Sequence, residues 1–223
     1  MKKNKIFIAC DSKNINKVKE IIKKTQNSKL KIGYKFGLEF LNTKEGRSFV
    51  SKLKNKITFG DYKLADIPNT CASAIKAVRD LKFNYLTIHI SSGFNSLKAA
   101  KKVCGKTKLI GVTILTSLDD KSLKEIGYNK KVEKIVHLQA KLAKKAKLDA
   151  IVCSPMEVSI VKKVFHKEII TPGIRLNPKS DDQKRTLTPK EAYKNGSDWL
   201  VIGRPITKGN IKNNLQSLIN HLK

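Results

Sequence analysis

Eight short runs rich in β-branched residues, each followed by a longer segment with apolar residues three and four apart, limit what this chain can fold into. The runs are "KIFIAC" (5–10), "KLKIG" (29–33), "KITFGDYK" (56–63), "NYLTIHI" (84–90), "KLIGVTIL" (108–115), "DAIVCS" (149–154), "EIITPG" (168–173) and "DWLVIG" (198–203). Near-continuous apolar runs suit strands covered on both faces, and an amphipathic helix between two of them lets the strands run parallel. Segments such as "NINKVKEIIKKT", "PNTCASAIKAVRDL", "KKVEKIVHLQAKLAKKA" and "IKNNLQSLINHL" supply those helices. Eight such units predict an α/β chain closed into a (β/α)8 TIM barrel, with residues 1–223 forming a single domain. An open doubly wound sheet has the same alternation, so counting strands does not establish closure.

The formal charge of +29 would by itself suggest a nucleic-acid or anionic surface as partner. Its make-up points away from that. Of 47 basic residues only five are arginine (Arg47, Arg79, Arg175, Arg185, Arg204), and the lysines are spread through every segment. Readers of phosphate backbones and base edges lean on the arginine fork, and single-strand binders on exposed aromatics, whereas aromatics of any kind make up only 6% of this chain. No nucleic-acid partner is expected. No apolar window approaches the length of a membrane helix, and "MKKNKIFIACDSK" is too short in its apolar run for a signal peptide, so a soluble cytoplasmic protein without a membrane partner is expected. Cys10, Cys71, Cys104 and Cys153 lie far apart with no zinc-ligand spacing; they read as buried free thiols, and no metal site is expected.

In a parallel barrel the chemistry gathers at the C-terminal ends of the strands. Polar residues fall there in series. Asp11 follows the first run, Lys31 lies near the end of the second, Asp61 and Lys63 end the third, Thr116 follows the fifth, Arg175 follows the seventh, and Gly203 with Arg204 closes the eighth. Asp11 alone could be no more than a helix cap, and His89, at the end of the fourth, reads best as a core histidine. The third run is harder to dismiss. Residues two apart on a strand face one side, so Asp61 and Lys63 point together, and charges placed inside a barrel mouth must be paired. Asp66 beyond the turn offers a second carboxylate. In "VIGRPITKGNI" a glycine, an arginine and a helix start follow a strand, which is chemistry suited to a phosphate.

These residues resemble the orotidine 5'-phosphate decarboxylase family. Its D-x-K-x-x-D-I-x-x-T hallmark is met at every fixed position by "DYKLADIPNT" (61–70), and the likeness continues in order through "IACD", "KIG", "VTILTS", "VCS", "TPGIR", "DDQKRTLTP" and "VIGRPIT". Two departures are modest: Ala65 stands where many members carry His, and "SSGFNS" lacks a glycine pair often found after His89.

The resemblance implies conversion of orotidine 5'-phosphate to uridine 5'-phosphate and CO2 in pyrimidine biosynthesis, without a cofactor. It implies a catalytic array of Lys31, Asp61, Lys63 and Asp66, with Lys63 as proton donor to C6. It also implies a homodimer in which Asp66 and Thr70 reach the partner's site. Asp11 would bind ribose hydroxyls, and Ile67 and Thr116 would lie near the pyrimidine. Gln183, Gly203 and Arg204 would hold the phosphate, with Arg175 supporting the loop that carries Gln183. Related sugar-phosphate enzymes of the same superfamily, the 3-keto-gulonate-phosphate decarboxylases and hexulose-phosphate synthases, share the D-x-K-x-x-D core and form the alternative. Their metal-stabilised enediolates would make magnesium dependence the discriminator.

Overall fold

The computed structural model describes residues 4–176 and 185–223. Its strands are β1 (Lys5–Ala9), β2 (Lys31–Gly37), β3 (Ile57–Leu64), β4 (Tyr85–His89), β5 (Lys108–Val112), β6 (Ala150–Val152), β7 (Glu168–Thr171) and β8 (Trp199–Ile202). Each pairs in parallel with the next, and β8 pairs with β1 through Ile6–Leu200, Phe7–Val201 and Ile8–Ile202. That last ladder closes the barrel and removes the open-sheet alternative.

The connecting helices lie outside the strands, with their ends specified locally. Asn14 caps Ile15–Thr25 by accepting from the Asn16 and Lys17 amides at 2.8 and 3.3 Å. Pro68 opens Pro68–Ala77, where its missing N–H costs nothing. Thr188 and Glu191 form a reciprocal capping box at the head of Pro189–Lys194. Each helix turns an apolar stripe inward, as Val18, Ile21 and Ile22 do in the first.

Two apolar cores result. The larger lies between strands and helices; the smaller fills the barrel, with Phe7, Phe59, Tyr85, Ile110, Ala150, Ile170, Trp199 and Val201. Phe7 stacks on Trp199 with centroids 4.2 Å apart, and Phe59 and Tyr85 meet Phe7 edge-on at 5.1 and 5.2 Å. Gly33 makes room for this plug, since a Cβ there would stand 2.6 Å from the Phe7 ring. At the N-terminal end Glu168 seals it, accepting from Tyr85 at 3.0 Å and from Lys108 at 2.7 Å. Filling the lower barrel leaves the opposite end as the place for a cavity.

The second strand differs from the sequence expectation, and one site assignment changes with it. The ladder begins at Lys5–Lys31 and runs to Ala9–Lys35, so β2 continues through Tyr34 and Phe36 to Gly37. Lys31 therefore sits at the N-terminal end of the barrel, exposed, and not near the strand's catalytic end. Four residues of parallel strand place Lys31 roughly 13 Å below Lys35. Buried Tyr34 and Phe36 pack outward against the helices, and their apolar surface carries the strand beyond its first glycine.

Candidate active site

A cavity of about 580 Å³ opens at the C-terminal ends of the strands. It is lined by Asp11, Asp61, Lys63, Thr116, Arg175, Gly203 and Arg204 among the residues expected from sequence, joined by Lys35, Glu39, Leu115 and Thr207.

The charged floor is built from three strands. Lys35 Nζ lies 3.0 Å from Asp11 Oδ2 and 3.2 Å from Asp61 Oδ2, and Lys63 Nζ lies 2.8 Å from the same Asp61 oxygen. The order Asp11, Lys35, Asp61, Lys63 alternates in sign, so the two buried members, Lys35 and Asp61, are paired with each other and each with a more exposed opposite charge. Burial alone would raise the Asp61 pKa, but the Lys35 and Lys63 ammonium groups outweigh it and hold the carboxyl below its ordinary value. Burial would likewise lower Lys35, but Asp61 and Asp11 prevail and raise it. Both groups are fixed in their ionised forms.

Backbone geometry shapes this floor as much as side-chain choice does. Gly37 donates its N–H to Asp11 Oδ1 at 3.0 Å, and a Cβ there would fall 2.5 Å from that oxygen, so a side chain would push the carboxylate away. On β3 the ladder with β4 shifts register between Gly60 and Leu64, and Lys63 adopts φ 49°, the left-handed region unusual for lysine. Its N–H donates to Thr87 Oγ1 at 2.8 Å, and Thr87 Oγ1 donates to Asp61 Oδ1 at 3.1 Å. Asp61 and Lys63 do meet, but through a bulge held from β4 and not through plain strand alternation.

Other expected residues lie apart from this cavity. Asp66 and Thr70 are exposed, and Ile67 is 65% exposed. Asp66 and Ile67 border a second, open hollow of about 820 Å³ with Pro68 and Ser91–Ser96. The Asp66 carbonyl accepts from Ser96 Oγ at 2.9 Å and Cys71 Sγ at 3.2 Å, which pins the turn while its carboxylate faces outward and accepts the Ile67 N–H at 2.7 Å. Gln183 lies outside the described residues. Of the four lysines and aspartates expected in the array, Asp61 and Lys63 stand together, Asp66 does not reach them within one chain, and Lys31 gives way to Lys35.

Lys35 and Thr87 were the residues that sequence reasoning missed. "KIGYKFG" holds two Lys-x-Gly triplets, and only the second ends the strand, directly before the helical turn Leu38–Leu41. The apolar pair Tyr34 and Phe36 after the first glycine was the available signal. Thr87 had none, being one hydroxyl inside an apolar run.

On the rim, Arg185 pairs with the buried carboxylate of Glu157 and donates from Nη2 to the Leu115 and Ile114 carbonyls at 2.7 and 3.3 Å. Ser154 reaches the Arg185 carbonyl at 3.4 Å. Three loop segments are thereby joined beside Thr116. Among the described residues no helix is long and apolar enough to cross a membrane.

Comparison with known proteins adds an independent line. A family model described as orotidine 5'-phosphate decarboxylase / HUMPS family matches residues 4–214. The chain is 45% identical over 223 residues to the orotidine 5'-phosphate decarboxylase of Wolbachia sp. subsp. Brugia malayi (strain TRS), covering 97% of each. It is 42% identical over 217 residues to that of Coxiella burnetii (strain RSA 493 / Nine Mile phase I), covering 92% of this chain and 90% of the relative. The crystal structure of orotidine 5'-phosphate decarboxylase from Lactobacillus acidophilus matches with a TM-score of 0.82 at 30% identity over 99% of both chains. That of orotidine 5'-monophosphate decarboxylase from Methanocaldococcus jannaschii, complexed with inhibitor BMP, matches in fold with a TM-score of 0.81 at 22% identity over 99% of both.

Proposed function

Because the chain belongs to the orotidine 5'-phosphate decarboxylase / HUMPS family, we propose that it converts orotidine 5'-phosphate to uridine 5'-phosphate and CO2, a step of pyrimidine biosynthesis. The observation that carries this reading is the run Asp11, Lys35, Asp61, Lys63 of alternating charge across the floor of one cavity of about 580 Å³.

Decarboxylation breaks the bond from C6 to the carboxylate and leaves its electron pair on C6, where the ring offers little conventional delocalisation. An ammonium fixed beside C6 lowers the energy of that developing charge and then supplies the proton. Lys63 has this role. CO2 leaves, C6 takes the Lys63 proton, and the neutral amine recovers a proton from water.

Asp61 stands against the departing carboxylate, favouring loss of its charge. Lys35, in the position sequence reasoning gave to Lys31, keeps Asp61 ionised and in place, because an unpaired ion in a low-dielectric site would neutralise. Asp11 takes ribose hydroxyls, Thr116 lies toward the pyrimidine, and Arg204 with Gly203 and Gln183 holds the phosphate, with Arg175 in support. The phosphate does not react, but its binding energy can be spent on positioning the base. Asp66, Ile67 and Thr70 serve a second copy: all three are exposed, Asp66 and Ile67 beside an open hollow, and they complete the partner's site in a homodimer. This residue set needs no cofactor, and a cytoplasmic location fits such an enzyme.

The test is an ultraviolet assay of purified protein with orotidine 5'-phosphate and a chelator. Turnover in chelator supports the proposal; strict magnesium dependence with a sugar phosphate instead would favour the family's other branch. Lys63→Ala is expected to lose turnover by at least about 10⁴-fold while still binding uridine 5'-phosphate. Near-normal product formation by that variant would sink the role of Lys63.

A further inference from the structure

The Lys63 backbone is held in a conformation its residue type disfavours, and something must hold it there. In the left-handed region the Cβ of an L residue crowds the backbone, so the conformation is disfavoured for any residue but glycine. The register shift between Gly60 and Leu64 also takes Lys63 out of the regular β3–β4 ladder. Its amide instead donates to Thr87 Oγ1 at 2.8 Å. Thr87 is completely buried and is not among the residues lining the cavity.

A hydroxyl has one proton and two lone pairs. Accepting from the Lys63 amide leaves the Thr87 proton free to go to Asp61 Oδ1, at 3.1 Å. The other Asp61 oxygen, Oδ2, takes both ammonium groups, Lys63 at 2.8 Å and Lys35 at 3.2 Å. One buried hydroxyl thus ties the main chain that launches the Lys63 side chain to the carboxylate against which its ammonium rests. Val at this position would have nearly the same branched shape but could make neither bond.

We propose that Thr87 is a positioning residue for decarboxylation, its hydroxyl setting where the Lys63 ammonium stands relative to Asp61 and the reacting carbon. The proposal rests on the decarboxylase reading above. It predicts that activity follows the hydroxyl and not the fit of the side chain in the core. Thr87→Val keeps the branched shape and loses the hydroxyl, whereas Thr87→Ser keeps the hydroxyl and loses a methyl group.

The experiment measures kcat, KM, the Kd for uridine 5'-phosphate and Tm for the full-length parent and both variants. Thr87→Val is expected to lower kcat by about tenfold or more, with KM and the nucleotide Kd within about threefold of the parent. Thr87→Ser should return kcat to within about threefold despite the lost packing. A purely structural role would instead make kcat follow Tm. Thr87→Val with kcat within about twofold of the parent, or Thr87→Ser as impaired as Thr87→Val, overturns the proposal. Should Thr87→Val fail to fold, Thr87→Ala is compared with Thr87→Ser on the same criterion. A parent that does not decarboxylate orotidine 5'-phosphate would overturn the functional reading and the proposal with it; an active parent with a fully active Thr87→Val overturns the proposal alone.

Discussion

Two lysines on one face of one strand have opposite prospects. Lys35 is buried against Asp11 and Asp61, while Lys31 pairs with Lys5 at the far end of the barrel and is exposed. Removing Lys35 leaves two carboxylates without their shared cation, so Lys35→Ala is expected to cut kcat/KM by about 10³-fold or more, measured in the same ultraviolet assay. Lys31→Ala should stay within about twofold of the parent. The sign of the Asp61 shift gives a second expectation at this scale. Its folded-state pKa lies below its ordinary value of 3.8, so its contribution to stability is present above that value and is lost as pH falls through the depressed folded value. Lys35 is raised above 10.5, so its contribution is present below 10.5 and is lost only as pH rises through the higher folded value. Between these limits the pair is fully charged. Asp61→Asn should therefore lower Tm near neutrality and flatten its fall as pH drops below 3.8. An acid limb as steep as the parent's would place the responsible carboxylate elsewhere.

At the scale of elements, the barrel ends are where local rules are broken and then compensated. β3 bulges at Lys63, and β2 runs out at a glycine that lets Asp11 approach the backbone. Neither feature belongs to a plain apolar run, and each needs a neighbouring strand to hold it. The loops after β5 and β6 are joined by Arg185, whose guanidinium meets Glu157, 3% exposed, and two carbonyls before Thr116. Breaking such a pair from one side leaves a buried charge, whereas removing both sides does not. Glu157→Leu alone is expected to destabilise by about 3–5 kcal/mol, and the double change Glu157→Leu with Arg185→Met to recover most of that loss. Chemical denaturation of the three proteins measures the cycle, and additive losses would show that the pair is not coupled. The ion pair was not legible in the sequence, because its members lie on different loops and nothing local marks them.

At the scale of the whole molecule, the proposed homodimer makes a prediction that one chain cannot. If Asp66 of the partner subunit completes the site that holds Lys63, then Lys63→Ala and Asp66→Ala chains are each inactive alone, and mixing them should restore one intact site per mixed dimer. About a quarter of parental activity is expected from random pairing in an equimolar mixture. A mixture no more active than its components would confine both residues to one site within one chain. The sequence determined much of the frame in which this question is posed. Apolar periodicity produced eight strands and their helices, because burial on both faces of a strand and one face of a helix is a local pattern. The motif "DYKLADIPNT" set Asp61 and Lys63 two residues apart at one strand end, which is a local proximity, and the bulge at Lys63 decided how they meet. Only the tertiary structure decided closure, through the pairing of β1 with β8 across the length of the chain. It alone chose Lys35 over Lys31, since the two share a face and only register against β1 and β3 sets their height in the barrel. It alone revealed Thr87, since a hydroxyl in an apolar run gains its role from the neighbouring strand it touches.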